Sequence, residues 1–205
     1  VSDSMSLGRK SRRLPLQQVR TSLLLAQIFG RLVSAVCFRI TSQPKKNVMS
    51  QFAVILPAAG QSSRFRGFHR KKPFVELKGR PIWVRTAEHF LKRPDVSQTI
   101  LVVAPEDLDW FHETFKANLA FMDILVVAGG KSRAESVRNG ISAIAKPADF
   151  IAVHDAARPL LTSQWIDQVF AAASTYQAAI PGLKISSTVK RVGIDAVISA
   201  TVDRE

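Results

Sequence analysis

Hydrophobic and polar positions follow two alternating patterns from Phe52 to about residue 182. The first consists of short runs that are rich in Val, Ile and Ala and apolar at successive positions. Such runs are typical of strands that are buried on both faces of a parallel sheet. The runs are 52-FAVILP, 99-TILVVA, 124-ILVVA, 150-FIAVH and 178-AAIPG.

Segments with helical periodicity lie between these runs. Pro81 suits the first turn of a helix, acidic residues at 106–109 suit a helix N-terminus, and Thr162 suits an N-cap. We therefore predict helices over 81–93, 106–117, 133–145 and 162–174.

Strands that alternate with helices predict an α/β fold, a Rossmann-like, mostly parallel sheet with helices on both faces. From Thr188 the pattern changes to 188-TVKRVGIDAVISATVDRE, two short alternating strands around Gly193 and Asp195. This predicts a protruding β-hairpin arm at about 185–205. We place the domain at 51–205.

Charge separates residues 1–50 from this domain. They contain nine of the 29 Lys and Arg residues and one acid, Asp3, so the extension carries +8 of the net +13. The remaining +5 suits anionic small ligands and does not require nucleic acid. Cys37 is the only cysteine, which excludes an internal disulfide and a Cys/His metal cluster and favours a reducing compartment.

The extension has no segment that predicts a membrane span, because its apolar run at 23–30 is short and flanked by Arg20 and Arg31. Its Arg- and Ser-rich composition resembles an organelle transit peptide. The alternative is a disordered leader upstream of a start at Met49. We expect a cytoplasmic protein, or a plastid-type location if the extension is a transit peptide.

The connection after the first strand combines small residues with many cations. Ala58, Ala59 and Gly60 let the backbone approach a ligand, and Pro73 favours an extended conformation at Lys72. The alternative is a solvated basic loop. Five cations after a core strand favour a site for several phosphates, namely Arg64, Arg66, Arg70, Lys71 and Lys72.

The connection after the third strand, 129-GGKSRAES-136, contains a predicted capping box. Ser132 would be the N-cap and Glu135 the third helical residue, leaving free amides beside Gly129 and Gly130. A P-loop is excluded, since Leu125 stands where that motif requires glycine. A dinucleotide fingerprint is excluded by Ser62 and Phe65.

The connection after the fourth strand is 154-HDAARP-159. Asp155 at a strand's carboxyl end could hold a hydroxyl group or a metal ion, and Arg158 could bind a phosphate or carboxylate. Alternatively, His154 and Asp155 only cap the loop. We interpret His154 itself as a packing and hydrogen-bonding residue.

Together the three connections resemble the 2-C-methyl-D-erythritol 4-phosphate cytidylyltransferase family of the non-mevalonate isoprenoid pathway. The pattern runs P-A-A-G, then R and K-P, then G-G with R-A-E-S-V-R-N-G, then V-H-D-A-A-R-P, between about Phe52 and Arg204. The resemblance implies a nucleotidyltransferase-like domain in which CTP donates CMP and pyrophosphate is released, with Mg²⁺ as cofactor.

The resemblance also implies roles for individual residues. Arg64 and Lys72 would be catalytic, and Asp155 and Arg158 would bind the substrate, with Asp155 also a metal ligand. The nucleotide would be bound by Pro57, Ala58, Ala59, Gly60, Gly129, Gly130, Arg133 and Ser136.

The arm departs from the family pattern, which has Arg-Asp-Thr where this chain has Ser186, Ser187 and Thr188. Lys184 or Lys190 could supply the missing charge, and we predict that Thr188 and Lys190 bind substrate in a homodimer formed through the arm. The family also continues beyond Glu205, so we expect the C-terminal part to be missing here.

Three alternatives remain open at this point. One is a cytidylyltransferase for another polyol phosphate such as ribitol 5-phosphate, and another is a non-catalytic nucleotide-binding module. A nucleic-acid binder that uses residues 1–50 is disfavoured, because aromatic residues are not interleaved with its cations. We expect small-molecule substrates, no nucleic acid and no membrane.

Overall fold

A computed structural model describes residues 35–40, 49–61 and 70–203. Its helices are α1 (Ile82–Leu91), α2 (Leu108–Thr114), α3 (Lys116–Phe121), α4 (Arg133–Ser142) and α5 (Ser163–Tyr176), with 3₁₀ turns at Lys72–Phe74 and Pro105–Asp107. Its strands are β1 (Ala35–Arg39), β2 (Phe52–Pro57), β3 (Glu76–Leu77), β4 (Arg80–Pro81), β5 (Val96–Val103), β6 (Ile124–Ala128), β7 (Phe150–His154), β8 (Ala178–Ala179), β9 (Lys190–Val192) and β10 (Ile198–Thr201).

The main sheet has the strand order β6-β5-β2-β7-β1-β8. The pairings of β2 with β5 and β7, and of β5 with β6, are parallel. Strand β1 runs antiparallel to both β7 and β8. The predicted α/β fold with a mostly parallel sheet is confirmed.

Helices cover both faces of this sheet, as predicted. Side chains of α1, α2 and α5 pack with Phe52 and Leu56 in one buried cluster. Ile55 of the same strand points to the opposite cluster, where Val137 of α4 packs. Phe52 stacks on Phe170 of α5 with ring centroids 3.8 Å apart. Alternation of side chains along β2 thus divides the core into two layers.

One predicted helix is broken in the structure. Residues 106–117 form the end of a 3₁₀ turn, then α2, then the start of α3, with the break at Phe115. The Phe115 ring is 6% exposed and lies 4.9 Å from that of Phe111. Burial of these aromatic side chains bends the chain where helical periodicity alone predicted one continuous helix.

The sheet also contains a strand from the basic extension, although the sequence places the domain at 51–205. β1 pairs with β7 from Ala35 opposite His154 to Arg39 opposite Phe150. Cys37 and Phe38 are 1% and 6% exposed. β1 joins the sheet because buried backbone N–H and C=O groups need hydrogen-bonding partners, and β1 supplies them to both β7 and β8. Most of residues 1–50 lie outside the described residues.

This placement of β1 predicts that the Cys37 thiol is unreactive in the folded protein. Burial raises the pKa of Cys37 to about 12, so almost no thiolate forms near neutral pH. Titration with Ellman's reagent at pH 8 should therefore give no fast reaction, and one thiol should react after denaturation. Fast reaction of the native protein would place residue 37 outside the sheet.

The predicted arm is present as a separate two-stranded sheet. β9 and β10 pair antiparallel, with Thr201 opposite Lys190 and Ile198 opposite Val192. The amide of Gly193 donates to the Val197 carbonyl at 3.0 Å and closes the hairpin. All residues of the two strands are exposed.

Candidate active site

Three connections that follow the parallel strands meet at one edge of the sheet. The amide of Ala156, after β7, donates to the carbonyl of Pro57 at the end of β2, 3.2 Å away. Gly129, after β6, lies so close to the first connection that a Cβ atom added to it would be 2.7 Å from the Cβ of Ala59. Glycine is therefore the residue that lets these two connections touch. The three connections therefore lie side by side at the carboxyl ends of the parallel strands.

The second connection is held by its own side chains. Ser132 caps α4, since its hydroxyl accepts from the Glu135 amide at 3.1 Å. The Glu135 carboxylate accepts from the Lys131 amide at 2.9 Å, and the Ser136 hydroxyl accepts from the Gly130 amide at 3.0 Å. The predicted N-cap is confirmed. The Gly130 amide itself has a partner within the protein, since the buried Ser136 side chain accepts from it.

Asp155 joins the second connection to the third. Its Oδ1 accepts from the guanidinium of Arg133 at 2.9 Å, and its Oδ2 accepts from Nε of Arg158 at 3.1 Å. The aspartate side chain is 26% exposed, whereas those of Arg133 and Arg158 are 39% and 58% exposed. Two cations are thus oriented by one half-buried carboxylate and remain accessible from solvent.

His154 does not take part in this set of charges. Its imidazole is 4% exposed, packs near Phe90 and contacts the carbonyl oxygen of Arg158 through Nε2 at 2.9 Å. Burial is the main cause that lowers the pKa of His154 below its ordinary value. The interpretation of this histidine as a packing and hydrogen-bonding residue is confirmed.

The cations of the first connection do not all project freely. Arg64 and Arg66 lie outside the described residues, so the predicted role of Arg64 stays a prediction. The guanidinium of Arg70 lies over the ring of Trp110, 4.3 Å from its centroid. This interaction with an aromatic face gives Arg70 a partner within the protein.

Lys71 likewise has partners that the sequence analysis missed. Its Nζ lies 2.8 Å from Glu106 and 2.7 Å from Asp107, both in the 3₁₀ turn after β5. The hypothesis that all five cations serve a site for several phosphates is corrected here for Lys71, since its charge is paired with two carboxylates of the protein. The sequence could have predicted this pairing, because Glu106 and Asp107 follow β5, and the end of a strand parallel to β2 lies at the same edge of the sheet as Lys71.

Lys72 is exposed and begins the 3₁₀ turn that ends at Phe74. The extended residue is Lys71, with φ −62° and ψ 144°, so the expected extended conformation falls one position earlier than predicted. Pro73 and Phe74 are buried, and the Phe74 ring lies 5.4 Å from that of Trp110. Lys72 thus stands at the surface beside a well-packed anchor.

The two predicted substrate-binding residues of the arm lie apart from these connections in sequence and sheet. Thr188 is exposed just before β9, and Lys190 begins β9. The Lys190 ammonium donates to the Thr201 hydroxyl at 2.6 Å. Their role toward a substrate stays a prediction.

A parallel α/β sheet whose strand ends carry a small-residue loop, a capped helix N-terminus and two oriented arginines defines the nucleotidyltransferase class. The family model described as 2-C-methyl-D-erythritol 4-phosphate cytidylyltransferase matches residues 52–205. The chain belongs to this family. Relatives support the assignment in sequence and in structure.

One relative is the 2-C-methyl-D-erythritol 4-phosphate cytidylyltransferase of Rhodopirellula baltica, 37% identical over 77% of this chain and 68% of that protein. A solved 4-diphosphocytidyl-2C-methyl-D-erythritol synthase is 30% identical with a TM-score of 0.57, over 76% of this chain and 69% of that one. The corresponding synthase of Anaerococcus prevotii, at 22% identity, shares the fold with a TM-score of 0.60, over 76% of this chain and 64% of that one. The chain therefore spans about two thirds of these relatives.

Within the described part of the chain, none of the helices has the length and apolar character that a bilayer crossing demands.

Proposed function

We propose that this protein transfers CMP from CTP to 2-C-methyl-D-erythritol 4-phosphate and releases pyrophosphate. The observation that carries the proposal is the pair of hydrogen bonds from Arg133 and Arg158 to Asp155. The bond from Arg133 joins the connection assigned to the nucleotide to the one assigned to the acceptor, and the bond from Arg158 orients a second cation on the same carboxylate. Family membership supplies the substrate class.

In this reaction the acceptor's 4-phosphate oxygen attacks the α-phosphorus of CTP. A new P–O bond forms while the bond from the α-phosphorus to the bridging oxygen breaks, and pyrophosphate leaves with that electron pair. The protein must align two polyanions and stabilise the charge that grows on the transferred group. Lys72 and Arg64 would supply the positive charge.

Small residues and arginines would bind the two substrates. Ala59 and the exposed Gly60 leave the chain after β2 without bulky side chains, so phosphates can approach the backbone there, whereas Ala58 is 2% exposed and its amide donates to the Val102 carbonyl. Arg133 would turn toward the nucleotide and Arg158 toward the acceptor phosphate. Both guanidiniums have donors beyond those bound to Asp155, so they can bind a ligand without releasing the carboxylate.

Mg²⁺ would act as a counter-ion that stabilises the triphosphate and the leaving pyrophosphate. Among the described residues, no group of three or more His, Cys, Asp or Glu side chains could hold a metal ion. Asp155 is the carboxylate of the site, and both of its oxygens already accept hydrogen bonds from arginine. An ion held mainly by phosphate oxygens and water would suit this arrangement, and the second lone pair on each Asp155 oxygen would let the aspartate serve as its protein ligand.

The direct test is pyrophosphate release with purified protein, Mg²⁺, each of the four nucleoside triphosphates and each acceptor. We expect turnover with CTP and methylerythritol phosphate, with ribitol 5-phosphate a poor acceptor. Turnover only with ribitol 5-phosphate would establish the alternative acceptor. CTP binding by folded protein without pyrophosphate release would instead indicate a nucleotide-binding module.

The protein would act as a homodimer formed through the arm. The arm and the segment before it expose several large apolar side chains, and burial of such a surface against a second copy is favourable. The exposed apolar side chains are Leu183, Ile185, Val192, Ile194, Val197 and Ile198. Sedimentation velocity should show a concentration-dependent dimer that Ile198→Asp dissociates. The control is Phe121→Asp, at a residue 91% exposed outside the arm, and an unchanged dimer in Ile198→Asp would exclude the arm as the interface.

A further inference from the structure

Lys71 belongs to a small ion cluster that joins two connections at the sheet edge. Its ammonium lies 2.8 Å from the Glu106 carboxylate and 2.7 Å from that of Asp107, and its side chain is only 17% exposed. Both acids lie in the 3₁₀ turn Pro105–Asp107 that follows β5. The cluster therefore holds the connection after β2 against the turn that follows the neighbouring strand β5.

The cluster is a poor phosphate site in its own right. It contains one cation and two carboxylates, so its net charge is negative and it repels a polyanion. Burial lowers the pKa of Lys71, but hydrogen bonds and charge attraction from Asp107 and Glu106 together outweigh it and raise the pKa above its ordinary value, so the ammonium stays charged. Because its ammonium is already paired with Glu106 and Asp107, Lys71 is poorly suited to bind a phosphate.

Lys72 lies between this cluster and a second anchor. On its C-terminal side, Pro73 and Phe74 are buried, and the Phe74 ring lies 5.5 Å from that of Phe111. The Phe74 amide donates to the Lys71 carbonyl at 2.9 Å, which closes the turn around Lys72. The backbone of Lys72 is therefore fixed at both neighbouring residues.

We propose that Lys71, held by Glu106 and Asp107, is a positioning residue that fixes the 3₁₀ turn from which Lys72 meets the phosphates of the nucleotide. This inference rests on the proposed function, since it assigns the phosphate contact to Lys72. Reacting groups must be held within about 1 Å of their productive position, and a displacement of that size can cost roughly 100-fold in rate. The ion cluster would hold the backbone from which the Lys72 side chain projects.

The kinetic test compares Lys71→Met, the double variant Glu106→Gln with Asp107→Asn, and all three substitutions combined. We expect each of the first two to lower kcat on the order of 10-fold with KM for CTP changed less than about 3-fold. The combined variant should lose no more than either, because both changes break the same cluster. Lys71→Arg should restore most of kcat. Lys146→Met is the matched control, since it breaks a 2.7 Å pair with Asp123 at a separate surface site.

Hydrogen exchange provides a readout that does not depend on turnover. The amides of Phe74 and Val75 donate within the turn, to Lys71 and Lys72 respectively, and should exchange faster in Lys71→Met and in the acid double variant. Exchange in Lys146→Met should equal that of the unmodified protein. If the unmodified protein releases no pyrophosphate, the proposed function fails. Faster exchange at these amides in the variants would still show that the ion cluster holds the turn.

Two results would overturn the inference. A rise in KM for CTP in Lys71→Met, with the acid double variant unaffected, would show that Lys71 itself binds phosphate. Unchanged exchange together with unchanged kcat in both variants would show that the ion cluster positions nothing.

Discussion

Lys72→Met should lower kcat for pyrophosphate release about 100- to 1000-fold while the protein stays folded. An ammonium aimed at charge that develops in the transition state contributes on this scale when it is preorganised. Lys72 is exposed and lies on a turn fastened by Phe74, so removal of its charge should alter little of the packing. The measurement is steady-state kinetics with CTP and methylerythritol phosphate, accompanied by thermal unfolding.

The matched control for this prediction is Lys92→Met, which removes one exposed lysine at the C-cap of α1 and leaves the sheet edge untouched. It should retain the kcat and the midpoint of thermal unfolding of the unmodified protein. A loss below 10-fold in Lys72→Met, or a similar loss in Lys92→Met, would remove Lys72 from the catalytic role. Lys72→Arg should recover part of the rate, since the charge returns in a different geometry.

The strands that position the site could be predicted from the sequence because their apolar runs are continuous, although β6 is an edge strand with Leu125 40% exposed and only β7 is buried along its whole length. The run at 150–154 is a strand over the predicted residues, and so is the run at 124–128. The position of the connections could also be predicted, because the carboxyl ends of parallel strands lie at one edge of the sheet and the connections begin there. Their contact is visible in the bond from Ala156 to Pro57.

Pairings between distant residues could not be predicted in the same way. β1 comes from a basic segment, and nothing local to residues 35–39 indicates that both its neighbours, β7 and β8, are far along the chain. The contacts of Lys71 with Glu106 and Asp107 join residues 35 or more positions apart. Such pairs depend on the order of strands in the sheet, which periodicity does not determine.

Asp155→Asn should lower kcat/KM for CTP and for methylerythritol phosphate by roughly 10- to 100-fold each, because charge-assisted hydrogen bonds contribute on this scale. The carboxylate accepts from Arg133 on one oxygen and from Arg158 on the other. Asparagine offers a single acceptor oxygen, and its amide group would face a guanidinium as a second donor. Both arginines should therefore lose orientation, and the KM of each substrate should rise.

Two comparisons separate the possible roles of Asp155. If the aspartate mainly orients the arginines, the loss in Asp155→Asn should persist at saturating Mg²⁺. Recovery of the rate as Mg²⁺ is raised would instead identify a metal ligand. If it only caps the loop, thermal stability should fall while the kinetics stay unchanged. Asp123→Asn is the matched control, because it breaks the 2.7 Å pair with Lys146 without touching either arginine, and it should leave both kcat/KM values as they are.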